Sequence, residues 1–210
     1  MTMPLVPRLK AAAVERGLFP DDGTVHAEAA FALVRDMPYR RASSRDPEVT
    51  IGEWRGTCSG KHILLQALLE ELGLPTVMIL ATHEFTEASS PWLPPSLLAE
   101  VRRAPVADVH HFLRVQPRAA LGPQADWMTV DATWPLAARA LGLPANEAFV
   151  PGRDMTVACD PIEVHHVPPE VDPMALKAQM LAELTGEQRE RREAFLGELM
   201  EWLERQLAGS

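Results

Sequence analysis

Residues 56–80 read GTCSGKHILLQALLEELGLPTVMIL, and the fold follows from how this stretch is built. Between Cys58 and Leu72, the residues Ile63, Leu64, Leu65, Ala67, Leu68, Leu69 and Leu72 leave little polar surface, so the spacing predicts a centrally buried helix. Gly73 supplies a left-handed stop and Pro75 blocks continuation. Thr76–Thr82 then reads as a buried, β-branched strand. The helix opens on a cysteine. Only a thiolate attacks, and a helix N-terminus is a place where the thiolate form is favoured.

Two later stretches supply what such a thiol needs. Asp108–Val115 contains His110-His111-Phe112-Leu113-Arg114-Val115, and Trp127–Thr133 reads WMTVDAT. Both alternate as strands, joined by a Gly/Pro/Gln loop. Adjacent strand residues point to opposite faces, so only one of His110 and His111 is expected to meet Cys58. Asp131 has two readings: it caps a turn, or it fixes an imidazole tautomer and stabilises the imidazolium. Thr57 and Ser59 can satisfy the first amides of the helix, and Gly56 and Gly60 permit close backbone approach. Free amides there can also hold a developing oxyanion. Lys61 either favours the thiolate or is simply solvated.

Outward from this core, the chain from Pro4 to Pro38 reads as two helices separated by Gly17–Asp22, and Tyr39–Thr50 reads as polar and irregular. Glu84–Pro105 is rich in Pro and Ser, with a turn of helix at Ser96–Arg103 and an apolar group of Trp92, Leu93 and Leu97. Met155–Cys159 and Ile162–Val167 are expected as short edge strands framed by prolines. Helix resumes near Asp172. Thr185 and Gln188 have capping-box spacing. Phe195, Leu196, Leu199, Met200, Leu203 and Leu207 form one stripe, which packs on the core or on a second copy of the chain. The pairs Glu187–Arg191 and Glu201–Arg205 support this last helix. The fold class is α+β. The expected segments are an N-terminal helical part (1–50), a core (51–170) and a C-terminal helical extension (171–210), in one globular unit.

Composition narrows the function. The 210 residues are 47% hydrophobic with a net charge of −9. No run of Lys and Arg interleaved with aromatics occurs, and the short basic clusters Arg40-Arg41 with Arg45 and Arg189–Arg192 are expected as solvated faces, so nucleic acid is not an expected partner. No apolar stretch approaches the ~20 residues of a membrane span. The first residues lack the apolar run of a secretory leader. With two cysteines, Cys58 and Cys159, this points to a reducing cytoplasm and free thiols. A metal site from His165-His166 with Cys159 and Asp160, or from Cys58 with His62, is disfavoured because adjacent strand histidines diverge and no C-x-x-C pair occurs.

Taken in order, these stretches resemble the transglutaminase-like superfamily, which has a papain-like cysteine fold. The resemblance covers roughly residues 50–135: a Gly-x-Cys opening a leucine-rich helix, a Gly-Leu-Pro leading into a strand, a histidine strand (HHFLRV) and a Trp-x-x-Val-Asp-x-Thr strand (WMTVDAT). It implies a nucleophile-bearing helix packed on an antiparallel sheet. Cys58 is then the nucleophile, His110 the base and Asp131 the orienting carboxylate, with no cofactor and no metal. Trp54, Thr57, Ser59, His62 and Trp127 fall beside this triad as oxyanion or supporting residues, and Trp92, Phe112 and Trp134 as an acyl pocket. Phe112 stands where the family usually has Trp, and His62 where a small residue is usual. The implied activity is acyl transfer through a Cys thioester, hydrolysing or transamidating a peptide, protein or small amide. The text around Cys58 is also similar to arylamine N-acetyltransferases, although the second glycine before the thiol and the acidic residue after it are missing. A non-catalytic scaffold with a structural thiol is the reading from a different class; thiol reactivity separates it from an enzyme.

Overall fold

A computed structural model describes residues 4–208; residues 1–3 and 209–210, the outermost parts of the expected terminal segments, lie outside the described residues. Three helices precede the thiol: α1 (Leu5–Glu15), α2 (Ala27–Asp36) and α3 (Pro47–Glu53). The last falls inside the stretch expected to be irregular. Asp46 caps it, accepting from the amides of Glu48 at 2.8 Å and Val49 at 3.4 Å, and Pro47 occupies its first turn. Seven residues are too few for an apolar period to announce itself. Trp54 ends α3 in the left-handed region, at φ 50°.

Helix α4 (Cys58–Glu71) follows the expected bounds to within a residue, and Gly73 takes the positive φ that its stop requires. Leu64, Leu65, Leu68 and Leu69 are wholly buried against Met78, Leu80, Val109, Leu113 and Val130. The sheet comes next, with β1 (Thr76–Phe85), α5 (Pro95–Arg103), β2 (Val106–Val115), the short α6 (Arg118–Leu121) and β3 (Met128–Val130). After a 3-10 turn at Leu136–Leu141 come β4 (Glu163–His166), α7 (Pro173–Ala182) and α8 (Gly186–Leu207).

The protein is mixed α+β, with four antiparallel strands in the order β3-β2-β1-β4. Ala81 lies opposite His110 and Leu80 opposite His111, while Leu113 pairs with Val130. Because β3 stops at Val130, opposite Leu113, the chain leaves the ladder just short of the two histidines. Asp131 therefore turns in beside them instead of continuing a strand.

Met155–Cys159, expected as an edge strand, does not join the sheet. Its polar groups go elsewhere: Met155 N–H to Thr129 O at 3.0 Å, and Thr156 N–H to Asn146 Oδ1 at 3.1 Å.

The C-terminal extension packs on its own core. Phe195, Leu196, Leu199 and Leu203 of α8 are buried with Phe85, Leu97, Val101, Val106 and Trp134. This part of the stripe is thus not a surface for a second copy. The capping box of Thr185 and Gln188 forms as the spacing implies. Arg191, expected to pair with Glu187 within the helix, instead reaches Glu100 of α5 at 2.7 Å. Among the described residues no helix is long and apolar enough to cross a membrane.

Candidate active site

Cys58 is the first residue of α4 and is 4% exposed. Gly56 ahead of it has no room for a side chain: a Cβ there would stand 3.2 Å from the Lys61 amide nitrogen. The Gly56 N–H donates to Pro38 O at 3.2 Å, which ties the segment carrying Tyr39 to the turn carrying the thiol. Through Tyr39 that segment also lines the cavity at the thiol.

His110 Nε2 lies 2.8 Å from Asp131 Oδ2. A carboxylate only accepts, so Nε2 carries a proton and Nδ1 is the nitrogen left for the thiol. Asp131 is itself held on every side: Oδ2 accepts from Ala158 N–H and Oδ1 from Thr133 N–H, both at 2.9 Å, while its carbonyl accepts from Asn146 Nδ2 at 2.9 Å. The non-sheet segment around Ala158 thus forms the back wall of the aspartate.

Charge completes the arrangement. Burial alone would raise the Cys58 thiol, but the Lys177 ammonium and hydrogen bonding from His110 and His111 outweigh it and hold the thiol well below its ordinary range. Burial would likewise push protons off His110. The Asp131 carboxylate and the Cys58 sulfur prevail and raise it to about 10. Asp131 stays ionised, its own burial outweighed by His110 and His62. The favoured state is a thiolate–imidazolium pair with a carboxylate behind it.

The structure brings both adjacent histidines to the thiol, where sequence reasoning allowed only one. His111 approaches from the other side. Lys177 Nζ donates to Ser59 Oγ at 3.4 Å, and Ser59 Oγ lies 3.1 Å from His111 Nδ1. Ser59 thus links the Lys177 ammonium to the His111 ring. Burial lowers the pKa of His111.

His62 fills the space behind α4. Its Nδ1 donates to Cys58 O at 2.8 Å, and its Nε2 accepts from Ala132 N–H at 2.9 Å. Burial lowers its pKa to about 4, so it stays neutral. It braces the thiol's turn against the Asp131 turn.

Lys61 is neither solvated nor directed at the thiol. It is fully buried and donates to Arg35 O at 2.7 Å and Thr133 O at 3.0 Å, and burial takes its pKa to about 7.

The other expected residues separate into near and far. Thr57 and Ser59 line a cavity of about 190 Å³ at the thiol. Thr57 makes no side-chain cap bond. Trp54 lies under the Arg16 guanidinium, 5.0 Å from its ring centroid, and packs on the main core. Trp127 is 38% exposed and offers only its carbonyl, to Arg114. Phe112 stacks beside His110 with centroids 6.2 Å apart. Trp134 sits 4.5 Å from the Tyr39 ring, and Trp92 packs edge-on behind it at 5.5 Å. These three aromatics support the site without lining the cavity.

Its walls include arginines expected on solvated faces, of which Arg192 is buried, and residues the sequence did not single out. Tyr39, Arg41 and Arg45 belong to the N-terminal segment and Asp108 to β2; Lys177 and Arg192 stand on α7 and α8. Arg192 Nε reaches Asp108 at 2.8 Å, and Lys177 also donates to Val109 O. All three expected segments therefore build one cavity. Asp108 had a signal: it lies two residues from His110 in an alternating strand and so shares its face. Lys177 and Arg192 had none, because helix periodicity does not say where a helix docks.

Among the described residues, no group of three or more His, Cys, Asp or Glu side chains is arranged to hold a metal ion. No family model, no curated protein and no solved structure matches the chain.

Proposed function

We propose that this protein is a cysteine-nucleophile acyl-transfer enzyme with a transglutaminase-like core, in which Cys58, His110 and Asp131 act as nucleophile, acid–base and orienting carboxylate. The observation that carries the reading is the His110 Nε2–Asp131 Oδ2 bond of 2.8 Å, which leaves the other imidazole nitrogen to a thiol at the start of α4. Sulfur and imidazole then hold charge in the sense that nucleophilic catalysis needs.

The chemistry follows from these positions. The Cys58 thiolate adds to an amide carbonyl carbon, and the carbonyl electrons move onto oxygen. The amides of the first turn of α4 and the Tyr39 hydroxyl, which lines the same cavity, are the donors available to that oxygen. The tetrahedral adduct collapses to a thioester as the C–N bond breaks, and the His110 imidazolium gives its proton to the departing amine. Neutral His110 then takes a proton from water or from an acceptor amine, which attacks the thioester carbonyl and releases the thiolate. Asp131 stays ionised throughout and steadies the imidazolium. Water as acceptor makes the enzyme an amidase or peptidase; an amine makes it a transamidase.

Intact-mass measurement after exposure to peptide and amide mixtures tests this reading. A covalent acyl adduct on Cys58, absent in Cys58→Ala, is the expected result. An adduct that survives this substitution places the nucleophile elsewhere, and an unmodified wild-type protein overturns the proposal.

A further inference from the structure

The cavity at Cys58 has an unusual charge for this chain. Its walls carry four cations (Arg41, Arg45, Lys177 and Arg192) against two acids, Asp108 and Glu193, in a protein of net charge −9. Most of that positive charge is already used. Arg192 is bonded to Asp108, Lys177 to Val109 O and Ser59 Oγ, and Arg41 pairs with Glu193 at 2.6 Å. Arg45 is different. Among the described residues it has no ion-pair or hydrogen-bond partner, although it lines both the thiol cavity and the adjoining cleft over Gly56 and Gly60. Its stem lies 4.0 Å from where a Gly60 Cβ would stand, so it crosses the first turn of α4, two residues past the nucleophile.

The rest of the lining is chemically different: Met174 and Leu181 of α7, with Leu196 and Met200 of α8, add apolar surface to the cavity. A volume of about 190 Å³ suits a short chain. An occupant that satisfies both sides has a brief aliphatic body and an anionic end that turns to the guanidinium.

We propose that the acyl group accepted by Cys58 carries a carboxylate, which Arg45 binds at the rim of the cavity. The inference rests on Cys58 being the nucleophile and adds the substrate class. A guanidinium at the edge of a low-dielectric cleft attracts a carboxylate from solution and offers it a planar, two-pronged set of donors. Neutral or cationic acyl groups leave Arg45 unpaired and gain nothing from it. The carboxylate belongs either to a small dicarboxylic monoamide or to an acidic residue of a peptide.

Two thiol reagents that differ in charge test this on the full-length protein. Iodoacetate and iodoacetamide both alkylate the thiolate with loss of iodide, and only the first is an anion. The expected rate ratio, iodoacetate over iodoacetamide, exceeds that of glutathione by about tenfold, falls about fivefold in Arg45→Gln and recovers in Arg45→Lys. A ratio equal to glutathione's, or one unmoved by Arg45→Gln, overturns the proposal while leaving Cys58 as nucleophile. Failure of both reagents to label Cys58 overturns the nucleophile reading itself. Matched acyl donors identify the source: succinyl against acetyl p-nitroanilide for a small monoamide, and Asp- or Glu-ended peptide p-nitroanilides against their Asn or Gln counterparts for a peptide. Preference for the anionic member of either pair supports the proposal, and preference in neither overturns it.

Discussion

One carboxylate, that of Asp131, faces two imidazoles that it leaves in opposite charge states: His110 Nε2 at 2.8 Å and His62 Nε2 at 3.6 Å. Geometry accounts for the difference. His62 accepts the Ala132 N–H at Nε2, so that nitrogen has no proton to give, and burial drives the ring to a pKa of about 4. His110 has a proton aimed at Oδ2 and a sulfur on its other side, which raise it to about 10. Proton exchange is thereby confined to the histidine that faces the thiol.

The thiolate–imidazolium pair is testable by reactivity against pH. An ordinary thiol loses about 80-fold in alkylation rate between pH 8 and pH 6. Cys58 is expected to lose less than about fivefold over that interval, because its thiol is held low and His110 retains its proton. His110→Ala restores the steep dependence. Asp131→Asn removes the charge that holds the imidazolium and lowers acyl-enzyme formation by about 100-fold or more. Iodoacetamide labelling and single-turnover acylation read these two effects.

Lys177 reaches the site from α7 and is the largest favourable influence on the sulfur's charge. Lys177→Met keeps the length of the side chain and removes the ammonium. Labelling of Cys58 at pH 6 is expected to fall about tenfold, whereas labelling at pH 9.5, where the thiol ionises unaided, changes far less. A uniform loss at both pH values indicates a packing defect instead.

His62 predicts the acid side of the stability curve. Its folded pKa of about 4 lies below the ordinary 6.5, so the unfolded chain binds more protons between those values. The contribution is complete above pH 6.5 and is lost as pH falls toward 4, by on the order of 3 kcal/mol. His83, buried beside Asp108 with a pKa of about 4, adds a decline of the same sign. His62→Gln is expected to flatten the decline while lowering stability at pH 7.5 by about 1–3 kcal/mol, since it weakens the bonds to Cys58 O and Ala132 N. Urea unfolding at pH 7.5, 5.5 and 4.5 separates the two effects.

Tyr39 is expected to act on the oxyanion and not on the thiol. Tyr39→Phe keeps the packing on Trp134 and removes a hydroxyl from the lining of the thiol cavity. Acyl-enzyme formation is expected to fall about 10–100-fold. Alkylation, which builds no oxyanion, is expected to fall much less.

The meeting of Cys58, His110 and Asp131 was legible because each rests on a local pattern. Cys58 opens an apolar helix with a glycine just before it, and His110 and Asp131 sit on or just beyond alternating strands. Pairing those strands antiparallel is enough to bring them together. What was not legible depends on docking. The divergence of adjacent strand residues argued His111 away from the thiol, but Ser59, on the first turn of α4, draws it back through a hydrogen bond. Trp127 reads like a site residue by its motif, yet it precedes the point where β3 joins the ladder and stays at the surface. Tyr39 lies in a stretch with no period at all and is placed by one backbone bond, Gly56 N–H to Pro38 O. Lys61 read as a partner of the thiolate or as solvated and is neither; its carbonyl partners come from α2 and the turn after Asp131.

The ammonium that does most to ionise Cys58 belongs to residue 177 of 210, on a helix that follows every strand of the sheet. A chain emerging from the ribosome therefore completes its triad before it completes the field that charges the sulfur. Until α7 docks, the sulfur lacks that ammonium and has only the histidines to favour its charge. Full ionisation of Cys58 is thus expected to come only with the docking of a late helix. Labelling at pH 6 during refolding is expected to lag the burial of the α4 core.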